Sequence, residues 1–221
     1  MRKIRFAPGE YYHIYNRGNN KQEIFNDTRD WVRFLFAILH FQSPTPIHNI
    51  SKSITHYIKH SVFNISDETI HKIITDRFVE LVSFSLMPNH FHLSLCETKN
   101  NGVSQYMQRI QNAYTKYFNV KYRKTGHLLQ GPFQAVHIKN NRQFLHLSAY
   151  IHRNPREISI WKNKEHEFPW SSYQDFIVKN RWGSLLKNQM IIEQFNHPLE
   201  YQKFVNKSTA KELKKEHIFE E

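Results

Sequence analysis

The stretch from Phe78 to Leu95 limits most what this chain can become. Phe78 to Leu86 is rich in Val, Leu and Phe, and Met87-Pro88-Asn89 has the composition of a tight turn. Phe91, Leu93 and Leu95 then alternate with His90, His92 and Ser94. This pattern predicts two strands of a hairpin. On the second strand one face is apolar and the other presents two imidazoles, because side chains two residues apart leave the same face of a strand.

The elements around the hairpin narrow the fold further. Glu10 to Asn16 alternates Tyr11, His13 and Tyr15 against Tyr12, Ile14 and Asn16, and closes on Arg17-Gly18-Asn19-Asn20, a turn composition that marks a first strand. Asp27 stands ahead of Trp31, Phe34, Leu35, Ile38 and Leu39, an N-cap followed by an apolar helical stripe. From Ser43 to about Ile74 the pattern loosens around Pro44 and Pro46, with weak helical signals near Ile54 to Ile58 and Glu68 to Ile74, and reads as an insertion. Val103, Met107, Ile110, Tyr114 and Phe118 recur at helical spacing. Phe133 to Lys139 reads as a fourth strand, and Arg142 to Arg153 as a helix stopped by Pro155, because the residue before a proline is pushed out of the helical region.

The order β-α-β-β-α-β-α predicts an α+β fold. It is a ferredoxin-like βαββαβ unit with a four-stranded antiparallel sheet and helices on one face, extended by an added helix that carries Tyr150. The expected organisation is one domain over 1–179, with the insertion at about 43–76, and a helical tail over 180–221. That tail has helical patches at Leu185 to Phe195 and Tyr201 to Val205 and ends in charge. No repeat at a fixed period interrupts this reading.

Composition indicates the company the chain keeps. Its 221 residues carry 31 Lys and Arg against 19 Asp and Glu, a formal charge of +12, which points to a polyanion and most simply to nucleic acid. No stretch approaches the length of a membrane span, and the start of the chain runs into Ala7-Pro8-Gly9 rather than an apolar signal core, so no membrane association and a cytoplasmic setting are expected. The single cysteine, Cys96, excludes an intrachain disulfide and a multi-cysteine zinc site and suits a reducing compartment. Cys96 lacks a partnered Asn or Asp pattern, which argues against a thiol nucleophile.

Three groups of residues could carry chemistry. His90 and His92 can share one divalent cation if another element brings a third ligand. Tyr150 lies on a helical stripe with His146, Leu147 and Asn154; a phenol of pKa ~10 attacks phosphorus only as phenolate or with a base or metal nearby. Arg109, Lys116, Lys121, Arg123 and Lys124 lie along or just after the second predicted helix with Tyr117 and Tyr122 interleaved, and Arg17 and Asn19 close the first strand; basic and aromatic residues mixed in this way suit a groove that tracks a nucleic-acid backbone.

Taken in order, several segments resemble the HUH-type single-tyrosine transposases, and within them the REP-associated tyrosine transposase-like group. They are Tyr12-His13-Ile14-Tyr15-Asn16-Arg17-Gly18-Asn19-Asn20, Met87-Pro88-Asn89-His90-Phe91-His92, Tyr106-Met107-Gln108-Arg109, Gly126-His127-Leu128-Leu129-Gln130-Gly131 and Tyr150-Ile151-His152-Arg153-Asn154-Pro155. Phe168-Pro169-Trp170-Ser171-Ser172-Tyr173 extends the likeness, which runs from about residue 8 to residue 178. The long 43–76 segment departs from the compact family pattern.

The resemblance implies that His90, His92 and Asn154 bind Mg²⁺ or Mn²⁺ and that Tyr150 is the nucleophile. It also implies cleavage and rejoining of hairpin-bearing single-stranded DNA through a 5′-phosphotyrosine, with no need of ATP. Consistently, no phosphate-cradling P-loop is present. Family members work alone or exchange the tyrosine helix across a homodimer. Two other readings compete: a non-catalytic nucleic-acid-binding module on the same fold, and a metal-dependent phosphohydrolase that uses water.

Overall fold

The computed structural model describes residues 4–46 and 48–209. Four strands, β1 (Tyr11–Arg17), β2 (Val79–Met87), β3 (His90–Glu97) and β4 (Gln134–His137), form one sheet in the order β2-β3-β1-β4. Every neighbouring pair is antiparallel. This is the ferredoxin-like arrangement expected from the sequence. The helices are α1 (Thr28–His40), α2 (Ile50–His60), α3 (Asp67–Thr75), α4 (Gly102–Tyr122), α5 (Asn141–His152), α6 (Tyr173–Ile177), α7 (Gln189–Ile192) and α8 (Pro198–Lys207).

Strand periodicity decides the layering. Tyr12 and Ile14 of β1 and Phe91, Leu93 and Leu95 of β3 share a buried cluster with Phe34 and Ile38 of α1 and Met107, Ile110 and Phe118 of α4. The alternate residues of β1 and β3 therefore face the other way, where α5 packs with α6 and α8 around Phe144, Leu147, Tyr173 and Tyr201. The outcome is a sheet with helices on both faces, the tyrosine-bearing helix covering the face that a plain ferredoxin-like unit leaves open.

Local chemistry explains the ends of these elements. Asp27 caps α1 by accepting from the Asp30 amide, as its position implied, and Asn140 caps α5 by accepting from the Gln143 amide at 2.9 Å. Within the loosely patterned 43–76 segment the Ser66 hydroxyl oxygen accepts from the Thr69 amide at 3.2 Å and opens α3. Ile54 of α2 is buried against Val32 and Phe36 of α1. The 43–76 segment thus holds two helices, near the weak helical signals at 54–58 and 68–74.

The segment beyond residue 180 does not stand apart from the body of the fold. Trp182, Leu185 and Leu186 join the cluster beneath α1 and α4, and Ile191, Tyr201 and Val205 join the one around α5. Its apolar residues are too many and too closely spaced to be left in water. The charged end from residue 210 lies outside the described residues.

Helix α5 is tied to this segment through a buried histidine. One ring nitrogen of His152 lies 2.6 Å from the Tyr201 hydroxyl and the other 2.8 Å from the Ser172 hydroxyl. Burial pushes this imidazole down to about 3, so it stays neutral in the folded chain. In the unfolded chain the ring takes up a proton below pH ~6.5, so this neutral ring supports the fold near neutrality and its contribution is lost as pH falls from there towards the folded value. Stability is expected to drop by about 2 kcal/mol between neutrality and pH ~5 on this account. His152→Gln, compared with the unaltered chain in denaturant titrations at both pH values, should flatten that drop. An identical drop in both proteins would place its origin elsewhere.

Candidate active site

The β1–β3 register sets Tyr15 opposite His92 and Arg17 opposite His90, and the β1–β4 register sets Gln134 opposite Tyr15. These side chains border a cleft of about 290 Å³, together with Asn16 and Gln130. The two imidazoles predicted to share a strand face do so, with ring centroids 5.2 Å apart. Both rings are largely buried.

Each ring is oriented by a hydrogen bond at Nδ1. Asn89 uses its amide nitrogen on the Lys21 carbonyl at 3.1 Å, so its Oδ1 accepts from His90 Nδ1 at 2.7 Å. His92 Nδ1 meets His13 Nε2 at 2.9 Å. Gly18 holds the end of β1 against this turn by donating its amide to the Asn89 carbonyl at 2.8 Å, and a Cβ at position 18 would collide with the Gln22 carbonyl.

Tyr150 arrives from α5 and sits edge-on to His92 and His13, with ring centroids 5.3 Å and 5.8 Å away. It is 6% exposed. Burial, with added effects of the Glu157 carboxylate and Tyr15, pushes its hydroxyl up to about 12, while Arg17 acts in the opposite direction. At neutral pH Tyr150 is a phenol.

Asn154 lies just past the end of α5 and is fully buried. Its amide nitrogen donates to the Tyr150 carbonyl at 2.9 Å and the Ile151 carbonyl at 3.4 Å, closing the helix. Among the described residues no group of three or more His, Cys, Asp and Glu side chains could hold a metal ion. Any cation at the histidine pair therefore depends on amide, water or phosphate oxygens for the rest of its shell, donors that suit a hard ion such as Mg²⁺.

The basic residues divide by what they touch. Lys121 donates to Asp27 and Asp30 at 2.7 Å each, and Arg109 donates to the Ser43 and Pro44 carbonyls while its guanidinium covers the Phe41 ring at 4.7 Å. Both hold the fold together. Arg17 borders the cleft, and Asn19 follows it in a 3-10 turn. Lys116 lines a second groove, of about 400 Å³, between α4 and the segment 127–131. Arg123 and Lys124 are exposed just past α4. His13, Tyr15, Gln130 and Gln134 were not singled out as site residues from the sequence. Their visible signs were the shared face of Tyr11, His13 and Tyr15 and the place of His13, Tyr15 and Gln130 within two of the segments that carry the resemblance.

Among the described residues no helix is long and apolar enough to cross a membrane. No curated protein matches the chain. A solved structure described as a REP-associated tyrosine transposase bound to a REP hairpin is similar in fold, with a TM-score of 0.51, 17% identity, and coverage of 80% of this chain and 83% of that one. Residues 47–154, which include the histidine pair, Tyr150 and Asn154, match the family model for IS200-like transposases. Over those residues the chain is similar to the IS200-like transposases, and the arrangement of histidines and tyrosine in the cleft agrees with that likeness.

Proposed function

We propose that this chain is a single-tyrosine transposase that cleaves and rejoins single-stranded DNA next to a hairpin, with Tyr150 as nucleophile and His90 and His92 as ligands of Mg²⁺ or Mn²⁺. The observation that carries the reading is the packing of Tyr150 against His92, whose neighbour His90 shares the same cleft. The fold neighbour bound to a REP hairpin supports the choice of DNA substrate.

The residues suit this chemistry. Because each Nδ1 is engaged, Nε2 is the ligand atom on both rings, and Asn154, whose Nδ2 is turned to the helix carbonyls, would contribute Oδ1. A bound divalent ion would polarise the scissile phosphate and offset charge developing on its oxygens. The Tyr150 oxygen forms a bond to phosphorus as the phosphorus–O3′ bond breaks; the phenolic proton is lost to solvent and the departing 3′-oxygen takes one up. Attack of a 3′-hydroxyl on the phosphotyrosine reverses the step and rejoins strands, conserving the bond energy. Arg17 at the cleft and Lys116, Arg123 and Lys124 beyond it would hold the DNA backbone. Lys121 and Arg109, engaged within the fold, would contribute less.

Incubation of the protein with Mn²⁺ and labelled hairpin-bearing DNA from its own genomic flanks should give an adduct that survives a denaturing gel and is lost with chelator. Tight binding without adduct on every flank would favour the binding module. Turnover to a free 5′-phosphate without adduct would favour the water-using phosphohydrolase.

A further inference from the structure

We propose that His13 is a positioning residue that fixes the tautomer of His92. The inference rests on the histidine-pair reading above. His13 is 2% exposed and projects from β1 on the face that β3 turns towards α5. Its Nε2 meets His92 Nδ1 at 2.9 Å, and the two rings stack with centroids 5.1 Å apart. A neutral imidazole carries one proton, on one nitrogen or the other. If His13 donates, His92 must hold its proton on Nε2, and that nitrogen is lost as a ligand. If His92 Nδ1–H donates and His13 Nε2 accepts, the lone pair stays on His92 Nε2, the only ring nitrogen of His92 not already facing His13.

The neighbouring ring supplies the precedent within the same site. Asn89 Oδ1 can only accept, so His90 carries its proton on Nδ1 and presents Nε2. His13 does for His92, from β1, what Asn89 does for His90 from the hairpin turn. An acceptor behind a ligating imidazole also raises its basicity, and losing such a partner typically weakens metal binding about 10–100-fold. His13 further touches Tyr150, at 5.8 Å between centroids, so the group that sets the ligand also borders the nucleophile.

The test reads the tautomer directly. Long-range ¹H–¹⁵N spectra of the histidine rings of the metal-free protein, at a pH where they are neutral, should show His92 protonated at Nδ1. His13→Phe, which keeps a ring in the cavity but offers no acceptor, should lose that preference and bind Mn²⁺ about 10–100-fold more weakly, while His13→Gln, which restores an acceptor, should recover most of the affinity. A His92 protonated at Nε2 in the unaltered protein would overturn the proposal without recourse to any variant. So would unchanged Mn²⁺ affinity in His13→Phe beside a loss in His92→Ala. If the unaltered protein binds no Mn²⁺, or His90→Ala and His92→Ala bind it normally, the histidine-pair reading fails and the role of His13 fails with it.

Discussion

Tyr150→Phe is expected to abolish the covalent protein–DNA adduct and to slow strand cleavage by at least about 10³-fold, the scale on which removal of a nucleophile acts. DNA affinity should stay within about threefold, since the ring remains and only a buried hydroxyl goes, and stability should change by no more than about 1 kcal/mol. The two readouts are a denaturing gel and equilibrium binding to the same labelled strand. Persistence of the adduct in this variant would move the nucleophile elsewhere, with Tyr15, half-buried at the cleft, as the next oxygen to test. Parallel loss of binding and cleavage would instead mean that the ring holds the site together.

Asp30→Ala is expected to cost about 3 kcal/mol of stability without entering the chemistry at all. Asp30 is fully buried and accepts from Lys121 Nζ at 2.7 Å, the Tyr122 hydroxyl at 2.6 Å, the Tyr117 hydroxyl at 2.8 Å and the Asn26 amide at 2.9 Å. Burial alone would raise this carboxyl, but those four bonds together bring it below the usual carboxylate range. Removing it strands several donors at once, three of them between α1 and the last turns of α4. In a chain of this size the loss corresponds to a fall of roughly 6–12 °C in Tm, read by thermal or denaturant unfolding. Tyr122→Phe, which removes one donor, should cost about 1 kcal/mol. An unfolding midpoint unmoved by Asp30→Ala would mean that the donors find water instead.

This cluster also shows where reading the sequence stops. Lys121 stands among Lys116, Arg123 and Lys124 on a basic, aromatic helix end, and nothing local separates a lysine aimed at DNA from one aimed at Asp30, 91 positions earlier. Arg109 is the same case, its partners being carbonyls of the loop after α1. The strands and the long helices were legible because their signals are periodic and local: the alternation in β1 and β3, the apolar stripe of α4, the proline that stops α5.

His90, His92 and Tyr150 were legible as a group because an ordered set of short segments carried them. His13 was not. Its placement on the face of Tyr11 and Tyr15 was visible, yet its meeting with His92 depends on the β1–β3 register, which no segment encodes alone. Gln134 reaches the same cleft only through the pairing of β4 with β1. The packing of residues 182–205 into two clusters is likewise a tertiary outcome of short helical patches.

The connection from β4 to α5 is only Ile138, Lys139 and Asn140, a span of at most about 10 Å when fully extended, and α8 fastens the far end of α5 through Tyr201. In this structure Tyr150 and the two imidazoles thus meet within one chain. Under the proposed chemistry this sets the molecularity of strand cutting: the rate scales linearly with protein at every dilution. Two crippled chains, one without the Tyr150 hydroxyl and one without the His92 ring, do not rescue each other when mixed.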